Sequence, residues 1–542
     1  MKKEFPALMV VFTCLVFFVS GAFAHSTGGG NVQGFEKAPA TQNAEVPVPE
    51  EKCPNVNDSW RQAQSFYGVQ VDESQQCMPD NPKLVAAVTE GTNNVPMMDL
   101  MDLGLSKDAV RKGEDLDGDG DPDVINITLE VQEINGRSPS GSSVEGISQE
   151  IAPGISPGFW VFAPKTRGMA TEGASASSIV RSPSPTIRAE ESDRVNIKLE
   201  NTHYFPHTIH FHGVDHDFEV NGSGNDGVPQ VNGEPAMPGG TQEYSFKPEQ
   251  PGSMFYHCHV QPNTHVLMGL QGMFSVEEER DNNTVQTFNI GGGKVRNPSE
   301  AVEQEYDNEY DMIYRGLDKE LHNKIKKSND PRVIAEGVNK EYDVTERNPD
   351  YYLLNGKSFP YTVRESQVVV EENETTKMRV LNTGSEGLSL HPHGHKPTAT
   401  HYDGVEVDEE ARIQRDVFDI SAAQRVDLEI NSTEDGLNSY GPGAWFMHNH
   451  KEEAVTTDGI APGGDVTLLT YESYQGEENL PQKGVSWDQF FTEKYYEGEI
   501  PMWQGLSDKY GNIEVQPAST STVVLIGLMG LILGALGAMV VV

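Results

Sequence analysis

Residues 207–213 read His207-Thr-Ile-His210-Phe-His212-Gly213, and residues 257–265 carry His257-Cys258-His259 followed by His265. Two further clusters, His391-Pro-His393-Gly394 and His448-Asn449-His450, bring the total to ten of the chain's 16 histidines. Alternate residues of a β-strand point to the same side, so each His-x-His pair sets two imidazoles on one face. A face of that kind packs poorly unless something binds it, and neutral imidazole is a good ligand for copper, zinc or iron. One such pair is an ordinary surface accident. Four pairs at matching places in two halves of the chain are not, and they read as strands that carry metal ligands.

The flanking sequence agrees. Thr186–Glu190, Val195–Leu199 and Thr241–Phe246 alternate between Gly/Pro turns within a stretch from Phe159 to Ile290. Glu365–Val370, Lys377–Leu381, Arg425–Ile430 and Val466–Leu469 repeat the pattern between Tyr351 and Tyr471. An all-β chain of two β-sandwiches is expected, over 154–290 and 347–475. Residues 25–153 read as an N-terminal extension or small domain, and 291–346 as a charged linker with a helix over Asp318–Lys327. The tail, 476–520, holds Trp487, Phe490, Phe491, Tyr495 and Trp503 and is expected to cross a sandwich edge.

Lys2 and Lys3, the apolar run Leu8–Val19 and Ala22-Phe-Ala24 read as an export signal over 1–24. The uncharged run 521–542 is long enough to cross a bilayer and reads as a C-terminal transmembrane anchor, so the chain is expected at the cell surface, outside the cytoplasm. With 82 acidic against 40 basic residues, the formal charge of -42 argues against a nucleic-acid partner. In an exported chain Cys53 and Cys77 are expected to form a disulfide, which leaves Cys258 unpaired. Asp115-Leu-Asp117-Gly-Asp119-Gly120-Asp121-Pro-Asp123 alternates acids around a glycine at the sixth position, as calcium loops do, although the twelfth residue is Asn126. Asp115, Asp117, Asp119 and Asp121 are the calcium candidates, with a solvent-exposed acidic turn as the bland alternative.

Cys258 points to the face opposite His257 and His259. With His207 upstream and His265 downstream it completes the Cys/His₂ set of a blue copper site. The backbone of residues 257–259 then links the thiolate to whatever metal the flanking histidines hold. Laying one half of the chain on the other puts Leu388 at the place of His207, Asn449 at that of Cys258 and Val455 at that of His265. The second sandwich thus keeps both His pairs and loses every ligand of the mononuclear site.

These motifs, with Pro183-Ser-Pro185-Thr-Ile187, Pro238-Gly-Gly-Thr241 and Tyr351–Gly356, resemble the multicopper oxidases. Specifically, they resemble the two-domain, laccase-like branch, whose blue copper lies in the N-terminal cupredoxin. The resemblance implies two cupredoxin-like Greek-key sandwiches and four coppers per chain. It makes His207, Cys258 and His265 the type 1 ligands, and His210 and His391 the type 2 ligands. His212, His257, His259, His393, His448 and His450 would hold the type 3 pair. It implies one-electron oxidation of a donor, reduction of dioxygen to water, and a homotrimer. The donor would be a small copper protein, a phenol, a metal ion or a nitrogen compound, giving its electron near His265 or His207, whose outer ring edges are expected closest to solvent. Asp403, followed by Gly404, is the first candidate proton source, ahead of Asp215 and Glu453, its alternative being a plain turn residue. Leu270 replaces the axial methionine that the family often has, and Met268 would have to shift to bind.

Two other functions compete. A copper nitrite reductase shares the two-sandwich plan but carries an acid at the place of His210 and a small residue at that of His259. A non-catalytic electron-transfer cupredoxin needs only His207, Cys258 and His265, and leaves the other pairs unexplained.

Overall fold

The computed structural model describes residues 106–498 apart from 107, 137–148, 167–179, 215–224, 230, 282, 284, 286, 296–304, 329, 477–479 and 482–486, together with the strand pair Gln64–Phe66 and Val69–Val71. The export signal, the Cys53/Cys77 disulfide, Trp503 and the 521–542 anchor lie outside the described residues. Among the described residues no helix is long and apolar enough to cross a membrane.

Two β-sandwiches form. In the first, one sheet has the order Phe288–Asn289, Thr186–Glu190, Gln271–Glu277, Gly252–His257, His210–His212. The facing sheet orders Val110–Gly113, Val124–Ile134, Arg194–Glu200 and Thr241–Phe246, with Phe159–Pro164 also on Val124–Ile134. Alternation explains the layering: Val195, Ile197 and Leu199 are buried while Arg194 is exposed. In the second sandwich the five-stranded sheet runs Val368–Val370, Thr467–Tyr471, Ala444–Asn449, Leu388–Pro392, Phe418–Ile420. Its partner is eight-stranded and centred on Thr375–Asn382 and Arg425–Asn431.

The domain boundaries move. Val110–Gly113 and Val124–Ile134 belong to the first sandwich, not to an extension ending at residue 153. Ile125, Ile127 and Leu129 pair in parallel with Val195, Ile197 and Leu199, and all are buried. The alternation of Val-Ile-Asn-Ile-Thr-Leu was visible, but the acidic loop before it masked a strand whose partner lies about 70 residues on. The linker likewise shrinks, because Asn308–Leu317 pairs in parallel with Thr375–Asn382 inside the second sandwich. The expected helix is present at Lys319–Lys327, capped by the Asp318 carboxylate, which accepts from the Glu320 N–H, and with three lysines in its last turn.

The two sandwiches join through specific contacts. Phe255 and Met273 of the first pack on Ile313 and Leu381 of the second. Beside them Arg188 and Glu277 meet Asp311, Arg379 and Glu309 in a buried charge network. Closer to the histidines, Gly252 (φ 135°) approaches Gly404 so tightly that an added Cβ would lie 2.7 Å from the Gly404 carbonyl oxygen. The tail reaches the sandwiches too: Phe490, Tyr495 and Tyr496 are buried in the first core cluster, with Phe490 against Phe359.

Candidate metal centres

Strand register sets one histidine of each cluster opposite one of its partner cluster. His210 pairs with His257 across His210–His212 and Gly252–His257, and His391 pairs with His448 across Leu388–Pro392 and Ala444–Asn449. Facing residues of an antiparallel pair lie about 5 Å apart, so each sandwich gathers imidazoles on one patch. In the first, ligating nitrogens of His210, His212 and His257 lie within 4.8 Å of one another; in the second, those of His391, His393 and His448 do. His259 and His450 complete the patches, their rings 5.4 Å from His210 and 5.7 Å from His391.

Hydrogen bonds orient these rings. His210 Nδ1 lies 2.6 Å from the Asp226 carbonyl oxygen and His257 Nδ1 lies 2.9 Å from the Cys258 carbonyl oxygen. A carbonyl only accepts, so each Nδ1 carries the proton and each Nε2 offers a lone pair. His212 Nε2 lies 2.9 Å from His257 Nε2, so the two rings turn toward one point. Burial is the main reason that His212 is pushed down to about 4 and His257 to about 3, so both are neutral near pH 7.

Behind the first patch lies a second cluster. Cys258 Sγ is 3.6 Å from His207 Nδ1 and 3.5 Å from His265 Nδ1. All three residues are buried, at 0%, 0% and 2% exposure. Burial pushes the Cys258 thiol up to about 12 and His265 down to about 3, so the set is uncharged until a cation draws off the thiol proton. A trigonal ion about 2.1 Å from each donor separates the donors by about 3.6 Å. The triangle and its soft sulfur therefore fit copper.

The expectation that the outer edges of His207 and His265 lie nearest solvent is corrected. Trp160 packs edge-on to both rings at 6.5 and 5.4 Å, and Phe205 lies 6.1 Å from His265. His203, not singled out in the sequence, covers His207 with its Nδ1 2.9 Å from His207 Nε2. The signal available was its spacing, one helical turn or two strand steps before a ligand, which by itself distinguishes nothing.

In the second sandwich Leu388 and Asn449 are buried and Val455 ends a short 3-10 helix, Glu452–Val455, where the first sandwich has the helix Pro262–Met268 that carries His265. Asn449 Oδ1 accepts from the Ser389 and Lys451 N–H groups at 3.1 and 3.2 Å, and its Nδ2 lies 3.5 Å from buried Asp465.

Asp403 occupies the first position of the two-residue turn between Thr398–Tyr402 and Val405–Glu406, with φ 54°, and Gly404 follows at φ 79°. The turn reading is thus present in the fold. The same carboxylate also pairs with Arg425 Nη1 at 3.1 Å, and an added Cβ on Gly213 would lie 3.4 Å from Arg425 Nη2. Both charges act on His212 of the first sandwich, Arg425 lowering and Asp403 raising its proton affinity. Arg425 was legible in sequence only as a strand residue.

The acidic loop rearranges the calcium candidates. Asp115, Asp117 and Asp123 converge, as do Asp117, Asp119 and Glu279. Asp121 turns inward and accepts from the Asn283 N–H at 2.7 Å. Asn126 does not close the loop, because it lies in the strand Val124–Ile134.

Two family models, both described as multicopper oxidase, match residues 176–281 and 330–461. An iron transport multicopper oxidase of Gibberella zeae is 25% identical over 318 residues, 54% of this chain and 45% of that one. A multicopper oxidase of Staphylococcus haemolyticus is 35% identical over 102 residues, 18% of this chain and 21% of its own. The chain spans about half the length of the fungal relatives it matches. Among solved structures, a blue copper oxidase from Nitrosomonas europaea aligns with TM-score 0.47 and 24% identity over 69% of this chain and 92% of that one.

Proposed function

This chain belongs to the multicopper oxidase family, and on that premise we propose that it oxidises a donor one electron at a time at His207, Cys258 and His265 and delivers the electrons to dioxygen, which leaves as water. The observation that carries this reading is the strand end His257-Cys258-His259. Its thiol faces a mononuclear set, and the two imidazoles beside it face a second patch. Bound copper supplies the one-electron chemistry and the dioxygen reduction. The chain holds the donors, keeps water from the thiolate and connects the two sites through three residues of backbone. Trp160, Phe205 and His203 keep a donor off the ligand rings, so the electron crosses a packed layer instead of passing through a direct bond. Leu270 is fully buried and would offer no sulfur donor to a copper held by His207, Cys258 and His265, which would favour its reduced state.

The remaining assignments belong to the same proposal. His210 and His391 take the type 2 copper; His212, His257, His259, His393, His448 and His450 take the type 3 pair, for four coppers per chain. Asp403, held by Arg425 next to Gly213, carries protons toward the cluster. Histidine at 210 and 259 favours this reading over a nitrite reductase. Calcium, expected at Asp115, Asp117, Asp119 and Asp121, is assigned to Asp115, Asp117 and Asp119 with Asp123 and Glu279, since Asp121 is turned inward onto the Asn283 N–H. Export by residues 1–24, the Cys53–Cys77 bridge and anchoring through 521–542 complete the picture, with the donor a small copper protein, a phenol, a metal ion or a nitrogen compound.

We also propose a homotrimer with each three-copper cluster between neighbouring chains. Within one chain, Phe255 and Met273 of the first sandwich pack on Ile313 and Leu381 of the second sandwich's eight-stranded sheet, whereas His391 and His448 belong to strands of its five-stranded sheet. In the proposed ring each half-site takes its complement from another copy. Light scattering should give three times the mature mass. Chains with His257→Ala and His448→Ala, inactive alone, should regain activity when co-assembled, and a fully active monomer without complementation overturns the arrangement.

The test of the function itself is copper stoichiometry with oxygen uptake. Four coppers per chain, an absorption near about 600 nm from a short copper–thiolate bond, and oxygen consumption with a reducing dye are expected. Two coppers per chain would restore the nitrite reductase reading, and a blue protein without oxygen uptake would restore the electron carrier.

A further inference from the structure

His207 is wholly buried, and both of its ring nitrogens are engaged. Nδ1 faces Cys258 Sγ at 3.6 Å, and Nε2 lies 2.9 Å from His203 Nδ1. A neutral imidazole that gives its Nδ1 lone pair to a metal keeps its hydrogen on Nε2. His207 therefore donates to His203 Nδ1, and the hydrogen of His203 must sit on its own Nε2. That nitrogen is buried and has no hydrogen-bond partner among the described residues. It points toward Glu133, whose Oε2 lies 3.7 Å away, beyond hydrogen-bond length and within range of strong electrostatic attraction.

Glu133 is itself fixed. Its Oε2 accepts from Trp160 Nε1 at 3.0 Å and from the Tyr204 hydroxyl at 2.5 Å. His203 is held from the sides as well: the Tyr204 ring lies 3.9 Å from it and the Trp160 ring 5.0 Å. Its backbone N–H donates to Asn201 Oδ1 at 2.9 Å, and Asn201 Nδ2 pins the loop through the Phe205 and Ala236 carbonyls. An imidazole so clamped has a single orientation. The internal comparison supports a tie to the mononuclear site, because the offset that sets Leu388 on His207 sets Gly384 on His203. The half of the chain that lost the ligand lacks this histidine as well.

We infer that His203, backed by Glu133, is a positioning residue of the mononuclear copper centre, fixing the rotation and tautomer of His207 and lowering the reduction potential of the metal. An acceptor on the outer N–H of a ligand imidazole enriches the lone pair on its inner nitrogen, which favours the more highly charged ion. The partly buried Glu133 carboxylate, behind His203, acts in the same direction. The chain thereby offsets part of the rise in potential expected from Leu270 at the axial side. The inference rests on the copper reading above.

The test uses the full copper-loaded chain, with redox titration of the band near about 600 nm and copper competition by a chelator as readouts. In His203→Phe, which keeps a ring but no acceptor, the potential should rise and copper affinity at this centre fall about 10- to 100-fold. His203→Gln, which restores an acceptor, should recover part of both. Glu133→Gln should raise the potential by a smaller step with the band retained. A His203→Phe protein with unchanged potential and affinity overturns the inference. Should that variant not fold, an unchanged potential in Glu133→Gln does so instead. Absence of the band in the unaltered chain would instead remove the copper reading beneath it.

Discussion

His391 repeats, in the second sandwich, the hydrogen bond that His210 makes in the first: each ring gives its Nδ1–H to a backbone carbonyl of an aspartate, Asp416 at 2.8 Å and Asp226 at 2.6 Å. His448 and His257 match in the same way, each bonding the carbonyl of the residue that follows it at 2.9 Å. Four imidazoles in two sandwiches are thus set to the same tautomer, Nε2 outward, before any metal arrives. The two halves are equivalent as donors to the cluster and unequal as holders of the thiolate site.

On the proposed assignment, Cys258→Ser should abolish the blue absorption and donor oxidation while leaving the other coppers largely bound. The thiolate belongs only to the inner triangle, and the outer patches have their own donors. Copper analysis and the visible spectrum check this together; loss of all four coppers would show the two centres to be one folding unit.

Asn449→Cys should not create a second blue centre. Leu388 and Val455 supply no imidazole, and burying a thiol beside Asp465 leaves the Ser389 and Lys451 N–H groups without their acceptor. The expected result is destabilisation by about 1–3 kcal/mol and no new band, and a second charge-transfer band would refute the equivalence drawn between the two halves.

Glu277→Gln should cost about 3–5 kcal/mol of stability, because it strands Arg188 and Arg379, both buried, with one counter-charge fewer. Burial by itself would raise the Glu277 carboxyl, but Arg379 and Arg188 outweigh it and hold the group well below the usual carboxylate range. A depressed carboxylate contributes stability above its unfolded value near about 4.3 that is lost only as pH falls through the folded value. Denaturant unfolding of wild type and variant should therefore differ fully at pH 7 and converge in strong acid.

Near the acidic loop the sign reverses. Burial is the largest reason that Glu190 is pushed up to about 9 and Asp193 to about 7. These carboxyls bind protons more tightly folded than unfolded, so their contribution is fully present below about pH 4 and lost as pH rises through 7 and 9. Without divalent cation the melting temperature should fall from pH 6 to pH 9. Millimolar calcium should raise it, most at the alkaline end, where carboxylates are ionised. No shift with calcium at pH 8 would leave the loop as an acidic turn.

The local record in the sequence was rich. Strict alternation gave away Thr186–Glu190 and Thr241–Phe246, and the charged stretch between the sandwiches gave away the helix at Lys319–Lys327, because these are set by neighbours within a few residues. The grouping of the histidines was legible for the same reason: His-x-His spacing decides a shared face by backbone geometry alone. The parallel pairing of Val124–Ile134 with Arg194–Glu200 was not legible, since it depends on a crossover between distant segments. Nor could sequence show that Arg425 and Asp403 of one sandwich stand beside His212 of the other, or that His203 and Trp160 close over His207 and His265. Residue type and spacing determined which atoms are able to bind metal; only the packing of the two sandwiches decided which of them are dry, which are charged, and what stands between the metal centre and its donor.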